Sequence, residues 1–144
     1  MDKYEAECKK RKEENHTFLA GFTRYLENKN LSKKTIDKHV QNIDFYINHF
    51  LLYEKPQEAA EGVSQLDYFL GFWFIRKAMW SSPSSIKENI ASLKHFYFYM
   101  NKIGQVSDEA LSKMQEEIKE CKSEWIETVK KYDDPDFDIE DIWG

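Results

Sequence analysis

Glycine and proline are so scarce in this chain, 5 and 3 in 144 residues, that it cannot turn often. Sandwiches and barrels need a turn about every ten residues, so long helices joined by short loops are predicted instead. Hydrophobic residues at 41% and charged residues at 33% are enough to bury a core and cover it, which excludes a disordered or collagen-like chain. The length suits one domain. No apolar run approaches the roughly 20 residues that span a bilayer, and the start Met1-Asp2-Lys3-Tyr4-Glu5 lacks a signal-peptide layout. A cytoplasmic protein with no membrane partner is the expectation. Cys8 and Cys121 have no metal-type spacing and read as free thiols.

Apolar spacing divides the chain into five helices. Phe18, Leu19, Phe22, Tyr25 and Leu26 share a face in the first, near 3 to 28, whose charged lead-in (residues 1 to 15) reads as an exposed helical extension. Ser32 is a good N-cap for the second, to about residue 52, with Ile36, Val40, Ile43, Ile47 and Phe50 as its stripe. A connection holding Pro56 and Gly62 allows one short helical turn. The third, near 64 to 80, is apolar around nearly its whole circumference and is expected to be buried. Ser81 to Ser84 supply a turn and cap for the fourth, 83 to 103, which buries Ile86, Ile90, Leu93, Tyr97 and Met100 and stops at Gly104. Ser107 caps the fifth, 107 to 132, where Leu111, Met114, Ile118, Cys121, Trp125, Val129 and Tyr132 form one near-heptad seam. Packing of that seam within the molecule is favoured over a coiled coil. The fold class is all-α, a compact bundle of four to five helices spanning 16 to 132.

Net charge divides unevenly. Residues 133 to 144 hold six acids and no base, while residues 1 to 132 hold 21 bases and 20 acids and so carry +1. An acidic tail therefore follows a nearly neutral body. Only Arg11, Arg24 and Arg76 are arginines, so phosphate contacts would fall mostly to lysine.

Nucleotide, nucleophile and metalloprotease motifs are missing. The four histidines are scattered, and Glu116, Glu117 and Glu120 read as a solvated helical face. No catalytic residue, metal site or cofactor is predicted.

Two helical faces carry a signal. A 100° projection places Lys34, Lys38, Gln41, Asn42 and Phe45 opposite the apolar stripe of the second helix, with Lys29, Lys33 and His39 close to its start. The fourth presents Lys87, Ala91, Lys94, His95, Phe98 and Lys102 beside its core-facing residues. Lysine suits phosphate oxygens, Gln and Asn can address base edges, and a helix fits the major groove, so double-stranded DNA is the candidate partner. Plain solubility explains the same lysines without a partner.

The string FLAGFTRYLENKNLSKKTIDKHVQNIDFYINHFL, followed by SPSSIKENIASLKHFYFYMNKIGQVS, resembles the SAM-like N-terminal (core-binding) domain of phage integrases and other tyrosine recombinases. The resemblance spans about residues 16 to 107. It rests on Phe22, Tyr25 and Leu26, on Leu31, Ser32 and Thr35, and on Ser84, Ser85, Ile86, Leu93, Lys94, Phe96, Tyr97 and Tyr99. It implies a helical clamp on one side of a duplex, with contacts from Ser32, Lys33, Lys34, Thr35 and Lys38 and from Ser84, Ser85, Lys87, Lys94 and His95. For Ser32 and Ser84, helix capping is the competing role. The family's catalytic domain has no counterpart in these residues, so no enzyme activity is expected. The alternative is a protein-interaction bundle that docks a recombinase or other protein through the fifth-helix seam or through Phe137, Ile139, Ile142 and Trp143 of the tail.

Overall fold

The computed structural model describes residues 2 to 132, and among them every regular element is helical. The order is α1 (Lys3–Glu27), α2 (Lys33–Phe45) with a π-helical turn Tyr46–Phe50, a 3-10 turn Ala59–Ser64, α3 (Leu66–Tyr68), a π-helical turn Phe69–Trp73, α4 (Phe74–Lys77), α5 (Pro83–Lys102) and α6 (Asp108–Tyr132). Because the second π-turn joins α3 to α4 in one run, the five predicted helices are all present. The bundle is all-α, as expected.

Local chemistry explains the starts. Asp2 caps α1 by accepting from the Glu5 N–H, Ser32 caps α2 through the Thr35 N–H, and the Ser107 hydroxyl accepts from the Ala110 N–H at the start of α6. At α5 the cap is Ser82, not Ser84. Ser82 and Ser85 each accept from the other's backbone N–H, with Pro83 in the first turn.

The core runs along the contacts of α5 with α6, α2 and α1. Ile86, Ile90, Leu93, Tyr97 and Met100 of α5 are buried, as are Met114, Ile118, Trp125 and Val129 of α6. The α6 seam is therefore covered by its own bundle. Trp125 Nε1 donates to Asp67 Oδ1 at 2.7 Å, which fixes α6 against α3. The 3-10 turn is held from beneath, where Tyr46 Oη donates to Gly62 O at 2.6 Å and Tyr97 Oη to Ala59 O at 2.8 Å. Burial of both phenols pushes their pKa well above the ordinary value. The π-turn after α2 is braced by buried Asn15, whose amide donates to Ile47 O and Asn48 Oδ1.

Two expectations give way. The run from Leu66 to Lys77 is not enclosed all round, because Tyr68 is exposed and Phe72 half-buried. Phe45 does not face solvent opposite the stripe: it is half-buried among Phe69, Trp73, Phe74 and Trp80. A two-sided projection misses this, because the loop after α4 brings Trp80 over the end of α2.

Candidate nucleic-acid interface

α2 and α5 lie side by side in opposite directions. Asn42 reaches Glu88 and Ser92, while His39, earlier in α2, reaches Ser92 and His95, later in α5. With their apolar sides turned to one core, both helices leave their remaining sides open to solvent beside this seam.

Ser32, Lys33, Lys34, Lys38 and Gln41 of α2 are exposed, as are Ser84, Lys87 and Lys94 of α5. Among the described residues, Lys33, Lys34, Lys87 and Lys94 enter no ion pair. Lys38 does, its Nζ lying 3.1 Å from Glu88 Oε1. Thr35 and Ser85 are half-buried and bonded within their helix starts, Thr35 Oγ1 accepting from the Ser32 hydroxyl and Ser85 closing the capping box. Ser32 is committed to capping, whereas Ser84 is not the cap of its helix and leaves an exposed hydroxyl in the first turn.

The seam beneath these residues is polar. Asn42 Nδ2 donates to Glu88 Oε2 and to Ser92 Oγ, both at 3.0 Å, and the Ser92 hydroxyl donates to Glu88 O at 3.1 Å. His39 Nδ1 shares a 2.7 Å hydrogen bond with the same hydroxyl. The hydrogen bond from Asn42, together with Lys38, holds the Glu88 carboxyl below its usual range. His39 is buried, and its ring lies 4.9 Å from that of half-buried His95. Burial lowers the pKa of both: His95 lowers His39 further against an opposing pull from Glu88, and Lys29 lowers His95 further. His39 therefore belongs to the packing between helices, and His95 offers only one edge to a ligand.

Sequence reasoning missed a second basic feature. The ends of α1 and α5 bring Arg24, Lys29 and Lys102 around Tyr25 and Tyr99. The sequence places Lys29 in the turn after the first helix and Lys102 at the end of the fourth, but their meeting with Arg24 depends on how α1 crosses α5. Among the described residues no group of His, Cys, Asp and Glu is arranged to hold a metal, and no helix is long and apolar enough to cross a membrane. The acidic tail, with Phe137, Ile139, Ile142 and Trp143 read above as candidates for docking, lies outside the described residues.

No family model, curated protein or solved structure matches this chain.

Proposed function

We propose that this chain is a helical duplex-DNA-binding module of the tyrosine-recombinase core-binding type, acting without strand-cleaving chemistry of its own. The observation that carries the reading is the adjacency of α2 and α5, whose open sides present Lys33, Lys34, Lys87 and Lys94, which have no acid partner among the described residues. The four ammonium groups contact backbone phosphates, and Gln41 and Ser84 are the exposed polar groups beside them that can reach base edges or sugars. The resemblance of the segments around Ser32 and Ser84 to the integrase domain supports the same two helices. Lys38 is a weaker contributor, because Glu88 already neutralises it.

A salt titration tests this. The four phosphate contacts of this face contribute about −3.6 to the slope of log K against log salt. Changing Lys33, Lys34, Lys87 and Lys94 to Glu abolishes binding and leaves the helical circular dichroism intact, since all four side chains are exposed. No salt-dependent binding by the unaltered chain transfers the assignment to a protein-interaction bundle. The exposed Met79 and Trp80 beside Phe45 would then be its docking patch, because the α6 seam is buried.

A further inference from the structure

We propose that the cleft between the C-terminal ends of α1 and α5 is a phosphate-binding site. It encloses about 430 Å³ and is lined by Arg24, Tyr25, Asn28, Lys29, Tyr99 and Lys102, with no carboxylate from the described residues among its walls. Of the residues read on the two helical faces, Lys29 and Lys102 line it, but Lys33, Lys34, Lys87 and Lys94 do not.

Charge is the first argument. Lys29 Nζ lies 4.9 Å and Lys102 Nζ 5.5 Å from the centroid of one ring, that of Tyr25. Arg24, Lys29 and Lys102 enter no ion pair among the described residues. Two helices end here, and each C-terminus supplies about half a negative charge. Arg24 and Lys102 sit in those last turns, so the dipoles account for about one of the three positive charges. An excess of about two remains, which suits a phosphate dianion better than a single carboxylate.

Shape is the second. A Cβ on Gly21 would lie 1.9 Å from Tyr99 Oη, so the hydroxyl end of Tyr99 can approach α1 this closely only because position 21 has no side chain. Tyr99 lies 5.4 Å from Tyr25, and both rings line the cleft. Arginine can grip two phosphate oxygens with its planar fork, and the lysines act as point charges. Asn28 and the tyrosine hydroxyls add neutral donors.

The phosphate comes from the duplex backbone or from a small phosphate ligand. The first source rests on the DNA reading above, with Lys29 extending the α2 basic end towards α1, and the second does not. The full chain is titrated with inorganic pyrophosphate, with NMR following the Arg24 Nε–H and Asn28 side-chain signals, and with duplex DNA over a salt series. The double variant Arg24→Gln, Lys102→Gln is compared with a control, Lys119→Gln, Lys122→Gln, on the exposed side of α6. For a backbone phosphate, the variant loses at least about tenfold in duplex affinity and its salt slope is shallower by about 1.8, while the control changes neither. For a small ligand, pyrophosphate moves the cleft signals of the unaltered chain although no duplex binds, in which case the site stands and the DNA reading falls alone. Duplex binding with an unchanged slope in the variant, together with cleft signals unmoved by pyrophosphate, overturns the proposal. So does the absence of both duplex binding and a pyrophosphate response. Relief of like-charge repulsion also predicts that the variant unfolds at no lower urea concentration than the unaltered chain, which separates loss of the site from loss of the fold.

Discussion

The two sides of α5 are built from different chemistry. Towards α6 and the 3-10 turn it presents Ile90, Leu93, Tyr97 and Met100, all almost fully buried, with the Tyr97 hydroxyl, joined there by that of Tyr46 from the π-turn after α2, as the polar fastening. Towards α2 it presents Glu88, Ser92 and His95, which meet Lys38, His39 and Asn42 through hydrogen bonds and one partly exposed ion pair. Apolar burial is strong and non-directional, whereas a half-exposed polar seam adds little net energy and depends on geometry and protonation. The first side therefore carries stability. The second sets how the two lysine-bearing helices lie against each other.

The largest effect belongs to the apolar side. Trp125 is fully buried and its indole N–H is bonded to Asp67. Trp125→Ala removes the packing, leaves a cavity and strands part of α6, and is expected to cost about 3–5 kcal/mol in urea unfolding. A loss below about 1 kcal/mol would show that α6 is a loosely attached arm and return its seam to the list of docking surfaces.

Gly62→Ala comes next. A Cβ there would sit 2.4 Å from Tyr97 Oη and within 2.9 Å of Leu51 and Tyr46 side-chain atoms. Gly→Ala stabilises by about 0.4–1 kcal/mol because it lowers the entropy of the unfolded chain, and overpacking costs roughly 1–3 kcal/mol, so net destabilisation is expected. Tyr97→Phe with Gly62→Ala should recover part of it, because the phenolic oxygen is the nearest obstacle.

The polar seam responds to pH instead. Burial holds His39 and His95 below the ordinary value of 6.5, so the fold binds fewer protons there than the unfolded chain. Their contribution to stability is whole above pH 6.5 and is lost as pH falls towards the lowered folded values. Lys29 opposes protonation of His95, and Glu88 favours protonation of His39. His95→Gln removes one titrating ring, so the urea midpoint of the variant should decline less between pH 6.5 and about pH 5. Parallel declines in variant and unaltered chain would assign the sensitivity to other groups.

The same contrast explains what could be read in the sequence. The apolar sides were legible because burial imposes a 3.6-residue period, and all five helices lie within two or three residues of their expected ends. The polar seam was not. The projection set Asn42 opposite the stripe and His39 near the helix start, and only the choice of α5 as neighbour decides that they are packed. The cap at Ser82 was within reach, since Ser82-Pro83-Ser84-Ser85 matches a capping box with proline at the first helical position, but four serines in five residues blurred it. The Arg24–Lys29–Lys102 cleft joins residues up to 78 positions apart, and no local pattern marks such a meeting.

The smallest effect, and the finest test of the comparison, is the Lys38–Glu88 pair. Its side chains are 57% and 35% exposed, so solvent screens most of the attraction, and a double-mutant cycle with Lys38→Met and Glu88→Gln should give a coupling below about 1 kcal/mol. The two single variants should still differ. Glu88→Gln also alters the acceptor that Asn42 uses, whereas Lys38→Met leaves that bond in place, so the glutamate variant should be the less stable. DNA affinity reverses the order: Glu88→Gln removes a negative charge beside Lys38 and should tighten binding at low salt, and Lys38→Met should weaken it only slightly. A glutamate variant that loses stability and gains affinity would separate the two duties of the seam, holding α2 against α5 and restraining the charge of the face they share.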